Sequence, residues 1–377
     1  MYGIPTICSI VPPHILRAIA ENGDAEDRVR ALAALSMSTQ PRMERQAVTL
    51  LAGALLLPSD AKRRTIYDAQ QGRDLPGRRV RTEGELRTRD VSVNEAYNGA
   101  GRTWEYFRRV HGRRSLDDHG IRLESTVHFG EGFNNAHWNG RQMIYGDGDG
   151  KYFTRFTSAL DVIAHELTHG VTQYTSALGF SGQCGALAEH FSDVFGVLVK
   201  QYALKQSARR ADWIIGAGLL TNRVSGDGIR SMKAPGSAYH DRILGRDPQP
   251  SHMRRYVKTY SDDRGVHINS GIPNHAFYRV ATALGGNAWS VAGKIWYAVL
   301  ARELGPRSGF QHCGDATWRV AGELYGAGSE PQQAVLEGWK AVGIRVSEQT
   351  IERARTRRRV RAPFEPPAPA AELPQLG

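Results

Sequence analysis

His165 and His169 stand four residues apart in the run His165-Glu166-Leu167-Thr168-His169. On a helix that spacing puts both imidazoles on one face, a turn apart, where they can grip a single metal ion. Neutral imidazole is a good zinc ligand, and a carboxylate beside two such ligands, here Glu166, can take a proton from metal-bound water. Over these five residues alone, an amphipathic helix with two polar histidines reads the same way. A second stretch, Gly185 to Asp193, sets Glu189 and Asp193 four apart, with Leu187, Phe191, Val194, Phe195 and Leu198 as an apolar stripe. A carboxylate from this second helix would complete a three-ligand zinc site with an open position, and Asp193 could orient a ligand histidine from behind. A solvated acidic face is the alternative, weakened by the apolar, small neighbours.

These side chains need helices to hold them, and the second half of the chain supplies the periodicity. Helical spacing of apolar residues runs through 160–174, 186–204, 272–284, 288–302, 316–325 and 330–342. Ahead of them, from about residue 62 to 152, strand signals cluster. Residues 125–129 alternate, and Asn139-Gly140 between two short apolar triplets is a hairpin turn signature. The first sixty residues form a leader in which Pro12 and Pro13 precede Ile15, Leu16, Ile19, Val29, Leu32 and Leu35, the pattern of short amphipathic helices. Residues 59–89 are basic and polar without sustained periodicity. At the far end Arg353, Arg355, Arg357, Arg358, Arg359 and Arg361 precede five prolines, a composition that predicts a mobile tail.

Composition bounds the function class. With 377 residues, 41% of them hydrophobic and 23% charged, the chain can bury a sizeable core, which excludes global disorder and fibrous classes. The net charge of +11 suits an acidic partner but says nothing of chemistry. Cys8, Cys184 and Cys313 are too few and too widely spaced for a disulfide framework or a Cys-x-x-Cys metal knuckle. No window reaches the roughly 18 apolar residues of a membrane helix, the nearest being 47–58, and residues 1–20 lack the basic start and apolar run of a classical signal peptide. No nucleic-acid reader motif with stacking aromatics is present.

From about residue 65 to 346 the sequence resembles the thermolysin-like metalloproteases. The zinc-helix motif is followed by the glutamate of the second helix at the family interval, 189 − 169 = 20. Asn134-Asn135-Ala136-His137-Trp138-Asn139-Gly140 is similar to the family's edge strand, and Gly146-Asp147-Gly148-Asp149-Gly150 to its following turn. The run from Asp262 to Gly271 is similar to the loop carrying a second catalytic histidine, and Gly228 to Met232 to the segment that contributes an arginine. The resemblance implies an α+β, two-lobe fold, with an N-terminal β-rich lobe over 61–175, a C-terminal helical lobe over 176–346 and the zinc helix between them. It implies a zinc-dependent neutral metalloendopeptidase. His165, His169 and Glu189 would bind zinc and Glu166 would be the general base. His267, held by Asp262, would hydrogen-bond the oxyanion, Arg230 would donate to a substrate carbonyl, and Asn135 with the backbone of Ala136 would hold the peptide as an added strand. Phe153, Phe156, Val162 and Ile229 would line the pocket for a bulky apolar residue just after the cut.

Some positions depart from the family pattern. Phe180 stands where a tyrosine usually supports the oxyanion, Ala188 replaces an asparagine that orients a zinc histidine, Cys184 stands for a serine, and His137 for an aromatic or apolar residue on the edge strand. A competent but slower enzyme is expected. Where thermolysin has a double calcium site, Asp161 and Asp212 remain, but Lys200, Ile214 and Ala217 take the other positions. A lysine among such oxygens supplies positive charge in place of an ion, so the double site should be lost. Asp147 and Asp149 read as a tight turn and not as a further calcium loop.

The leader around Cys8 to Leu16 resembles the short propeptide of the protealysin-like branch. It implies a self-processing zymogen, cut between about Arg42 and Lys62, with its own propeptide as inhibitor and export by a non-classical route, a cytoplasmic location being the alternative. Cys8 reaching the zinc in the latent form is a further idea. The charge stays compatible with an acidic protein inhibitor. A zinc-stabilised binding protein that hydrolyses nothing is the competing class, and the retention of both Glu166 and His267 argues against it.

Overall fold

The computed structural model describes residues 9–38 and 59–347. Cys8, the part of the expected cleavage region (about Arg42 to Lys62) that precedes residue 59, and the arginine- and proline-rich tail lie outside the described residues.

The leader forms two helices, α1 (Pro13–Asn22), with proline in its first turn, and α2 (Ala25–Ser38). Proline suits that first turn because its missing N–H has no intrahelical partner to lose. Helix α1 buries Ile15, Leu16 and Ile19, as the periodicity predicts. Helix α2 does not bury the expected Val29 and Leu32, which are 68% and 53% exposed, but Asp27, Ala31 and Ala34. The small face packs close, and it does so because Asp27 has a polar partner to reach on the body of the protein.

That body opens on a five-stranded sheet made of β1 (Arg64–Asp68), β2 (Arg78–Thr82), β3 (Leu123–Val127), β4 (Ala136–Trp138) and β5 (Met143–Tyr145). Its order is β2-β1-β3-β5-β4, so β4 is an edge strand. Strands β1, β3 and β5 are parallel neighbours, while β2 and β4 run antiparallel to theirs. The Asn139-Gly140 turn closes the β4–β5 hairpin in the register Ala136↔Tyr145 and Trp138↔Met143.

This lobe also carries a long helix beside its sheet. Between β2 and β3 lies α3 (Val91–His111), capped at its start by the Asp90 carboxylate on Val93 N and closed by Gly112 in the left-handed region at φ 71°. It packs on the sheet and against α4 (Leu160–Gln173), the helix with the two-histidine motif. The rest is mostly helical: α5 (Gly182–Leu204), α6 (Asp262–Asn269), α7 (Gly271–Leu284), α8 (Ala292–Arg302), α9 (Phe310–Tyr325) and α10 (Glu330–Ala341). It also holds two two-stranded ribbons, Ile214–Ile215 with Arg230–Ser231 and His240–Asp241 with Gly245–Arg246. Helix α5 is buried from Cys184 to Gln201 and forms the axis around which this lobe packs. A Trp296–Trp339 stack, with centroids 6.3 Å apart, joins α8 to α10. Among the described residues no helix is long and apolar enough to cross a membrane.

Candidate metal centre and substrate cleft

Helix α4 is pressed between α3 and α5 by missing side chains. A Cβ on Gly99 of α3 would lie 2.4 Å from Ile163 Cδ1, and one on Gly196 of α5 would lie 2.8 Å from the Asp161 carbonyl oxygen. The close approach at Gly196 brings Glu189 opposite His165 and His169. Nε2 of His165 and Nε2 of His169 face each other at 3.2 Å. Glu189 Oε2 is 3.5 Å from the first and Oε1 is 3.6 Å from the second.

These atoms fit zinc. Ligands bound tetrahedrally at about 2.0–2.1 Å stand roughly 3.4 Å apart, which is the spacing found. Both oxygens of Glu189 are fully buried and accept no hydrogen bond, an arrangement costly for a carboxylate unless a cation satisfies it. Among the described residues His165, Glu166 and His169 form the cluster close enough to hold a metal.

A buried network fixes the ligands from behind. Nδ1 of His165 donates to Asp193 Oδ1 at 2.8 Å, which leaves the Nε2 lone pair facing the centre. Arg230 grips Asp193 through Nε and Nη2, at 2.9 and 2.8 Å. Asn274 Nδ2 donates to Asp193 Oδ2 at 2.8 Å, and its own oxygen accepts from His190 Nδ1 at 2.8 Å. His190 is the acceptor for Trp296 Nε1–H at 2.8 Å. Burial lowers the His190 pKa to about 4, so the ring is neutral and every proton in the relay has one direction. Asn274, His190 and Trp296 carry no metal or acid–base spacing in the sequence, and only the packing of α5, α7 and α8 reveals them.

Glu166 points into the same space. Its Oε2 accepts from the Trp138 backbone N–H at 3.0 Å, while the buried Oε1 has no hydrogen-bond partner. Burial, reinforced by the nearby charge of Glu189, raises Glu166 to about 7 in spite of His165. Across the cleft, Asp262 Oδ1 holds His267 Nδ1 at 2.5 Å and its Oδ2 accepts the His267 backbone N–H at 2.9 Å. The buried Nε2 of His267 is left without a hydrogen-bond partner, 3.4 Å from Glu189 Oε2. Burial opposes charge on His267, but Glu189 and Asp262 outweigh it and raise the pKa to about 9. The segment that presents this histidine is strained: Asp262, Asp263, Arg264 and Gly265 all have positive φ, at 54°, 48°, 68° and 78°. Three L-residues in a row in the left-handed region are uncommon.

The leader lies in this cleft as an added strand. Ser9 pairs antiparallel with His137 on the free edge of β4, and Ile10 N donates to the Ala136 carbonyl at 3.1 Å. Asn135 Oδ1 accepts from Val11 N at 2.9 Å, and Asn135 Nδ2 donates to the Val11 carbonyl at 3.3 Å. Nη1 of Arg230 donates to the Ile10 carbonyl at 3.0 Å. Phe153, Phe156, Val162 and Ile229 are buried, the two rings 5.7 Å apart. Of the departures, Phe180 is half-buried just before α5, and Ala188 and His137 are buried. Cys184 Sγ accepts from Gly179 N at 3.0 Å and donates to the Pro306 carbonyl at 3.1 Å, hydrogen bonds a serine would also make. His275, near the site in sequence, instead turns toward the Met232 carbonyl at 3.3 Å.

Two acidic clusters beside the site are satisfied by protein. Lys200 Nζ sits 2.8 Å from Asp161 Oδ2, 3.0 Å from Asp212 Oδ1 and 2.7 Å from the Ile214 carbonyl. Asp149 Oδ1 accepts the backbone N–H groups of Lys151, Tyr152 and Phe153, at 2.9, 2.8 and 3.1 Å, and Asp147 Oδ2 accepts from His128 and Gln71.

With this geometry in hand, comparison with known proteins gives consistent matches. The thermolysin metallopeptidase catalytic domain matches residues 55–173 and the thermolysin metallopeptidase alpha-helical domain residues 176–344. The protealysin propeptide matches residues 8–36. An extracellular metalloprotease of Pectobacterium carotovorum subsp. carotovorum is 46% identical over 352 residues, covering 92% of this chain and 99% of its own. Protease PrtS of a Photorhabdus species is 42% identical over 90% of this chain and 93% of its own. The solved precursor of protealysin, a metalloproteinase from Serratia proteamaculans, superposes with a TM-score of 0.82 at 45% identity, over 89% of this chain and 99% of the other.

Proposed function

The chain belongs to the thermolysin metallopeptidases, and from that premise we propose how its residues cut a peptide bond and how its leader restrains them. It is a zinc-dependent neutral metalloendopeptidase with a propeptide. In our reading His165, His169 and Glu189 hold the metal. Zinc bound there supplies a Lewis acid that polarises the scissile carbonyl and makes water nucleophilic near neutral pH.

Glu166 takes the water's proton at Oε1, the oxygen left over once Oε2 is held by Trp138 N–H, and passes it to the departing amine. His267 donates from Nε2 to the developing oxyanion, with Asp262 holding its ring. Asn135 and Ala136 bind the substrate main chain as a strand, and Arg230 binds a carbonyl just after the cut. Asp193 keeps both Arg230 and His165 in place. The pocket of Phe153, Phe156, Val162 and Ile229 selects a bulky apolar residue after the scissile bond.

The observation that carries this reading is the leader itself, whose main chain donates to the Ala136 carbonyl and to Asn135 Oδ1 and accepts from Asn135 Nδ2 and Arg230, with the apolar Ile10 buried between these contacts. The leader is therefore both a substrate mimic and an inhibitor. The test is zinc content together with cleavage of an unfolded protein by the wild type and by Glu166→Gln. The variant should keep zinc and lose about 10³-fold in turnover, since the proton transfer has no other acceptor. Equal turnover in the variant would refute the mechanism, and zinc without turnover in the wild type would favour a binding role.

Four finer readings go with it. The lobes divide at residues 60, 175 and 346. Lys200 stands in for the double calcium site, with Ile214 and Ala217 in place of its other ligands. The enzyme acts outside the cell, as the name of the Pectobacterium relative says of that protein, and leaves by a non-classical route; an intracellular pool without activity in the medium would contradict this. An acidic protein inhibitor fits the +11 charge, and failure of polyanionic proteins to slow the enzyme would count against it.

A further inference from the structure

Lys151 and Tyr152 hold one buried carboxylate between them. Asp27 of α2 is 2% exposed in its side chain, and its Oδ2 lies 2.7 Å from Lys151 Nζ and 2.8 Å from Tyr152 OH. The ammonium also lies 2.7 Å from Asp24 Oδ2 and 5.0 Å from the centre of the Tyr152 ring. An ammonium and a phenol converging on one oxygen make a charge-assisted carboxylate receptor.

This receptor is tied to the segment that holds the leader. Asp149 clamps the backbone N–H groups of Lys151, Tyr152 and Phe153, and binds the Asn134 side chain in both directions, at 2.7 and 2.8 Å. The next residue, Asn135, is the one that holds Val11. The Thr221 hydroxyl and N–H cap the carbonyls of Lys151 and Tyr152, so the loop is fixed by groups that do not belong to the leader. When the leader departs, the two donors lose Asp27 and keep their positions.

We propose that Lys151 and Tyr152 form an acid-selecting subsite for peptide substrates, reading a carboxylate side chain two or three residues after the scissile bond, and that Asp27 fills it while the leader is attached. The proposal rests on the reading of Ile10 as a mimic of the first residue after the cut, which puts Val11 and its Asn135 clamp one step further along. Asp24 and Asp27 thereby copy the substrate's charge as Ile10 copies its apolar side chain.

The test uses the matured enzyme and quenched fluorescent peptides that differ only in carrying Asp, Asn or Lys at the second or third position after the cut. At one of these positions Asp should exceed Asn by roughly five- to tenfold in kcat/KM, through KM, with the advantage shrinking at high salt. In Lys151→Gln the Asp-to-Asn ratio should fall to about one, in Tyr152→Phe it should fall partway, and in Lys151→Glu the Lys peptide should become the better substrate. Equal kcat/KM for Asp and Asn at both positions in the wild type would overturn the subsite and leave the protease reading intact. Failure to cut any of the peptides would overturn both.

Discussion

Lys200 Nζ and Asp161 Oδ2 are 2.8 Å apart, joining the C-terminal end of α5 to the first turn of the metal helix. The same ammonium reaches Asp212 and the Ile214 carbonyl, so one protein cation satisfies three oxygens from two segments. Asp161 in turn accepts from Gly216 N at 3.2 Å, which ties the 214–216 segment down. Melting in EGTA should match melting in calcium. Lys200→Met should cost about 3 kcal/mol by leaving the Asp161 carboxylate buried and unpaired, measurable by urea unfolding. A large fall in melting temperature of the wild type on calcium removal, with zinc retained, would contradict the substitution of lysine for the ion.

His128 sits between Asp147 and Asp90, at 2.8 Å from each. The Asp147 hydrogen bond first, then that of Asp90, raises it to about 9 against the opposing effect of burial. A raised pKa stabilises the fold fully below the unfolded value of about 6.5, and the contribution fades as pH climbs through 9. Stability of the zymogen should therefore decline between pH 6.5 and 9, and His128→Gln should flatten that part of the curve. An unchanged slope in the variant would assign the decline elsewhere.

Arg264 is exposed and carries its side chain at φ 68° within the left-handed segment that presents His267. Glycine adopts this conformation without the Cβ clash but loses more freedom on folding. The balance predicts that Arg264→Gly gains roughly 0.5–1 kcal/mol in denaturant unfolding. A loss of stability would show that the arginine side chain contributes more than its backbone costs.

Phe180 stands where the resemblance to thermolysin-like enzymes implies a tyrosine whose hydroxyl supports the oxyanion. Phe180→Tyr should raise kcat with little change in KM, because the added donor acts on developing charge. No gain in kcat would mean that the missing hydroxyl is not what limits this enzyme.

How much was legible in the sequence depended on whether a residue's role was written locally. The histidine pair and Glu189 were readable because helix period and apolar stripe act over a few residues. Helix α3 was not, since Val91, Val93, Tyr97, Trp104, Tyr106 and Phe107 favour strands by propensity, and Gly99 and Gly101 weaken a helix. Tertiary packing overrides both: Gly99 is where Ile163 comes in, and a Cβ on Gly101 would meet the Arg64 guanidinium at 2.3 Å. The caps Asp90 and Gly112 were the missed signal. In α2, the periodic Val29 and Leu32 misled because Asp27 had to face Lys151, a partner 124 residues away. The relay through Asn274, His190 and Trp296 likewise spans separate helices.

The strand that Ser9 to Val11 adds to β4 also has a bearing on solubility. Strand β4 is the outer member of its sheet, and its unpaired backbone groups would invite any extended chain, including another copy of this protein in a crowded, half-folded state. By travelling with its own tenth residue already paired to that border, each newly made molecule brings a built-in safeguard against clumping for as long as the leader stays attached.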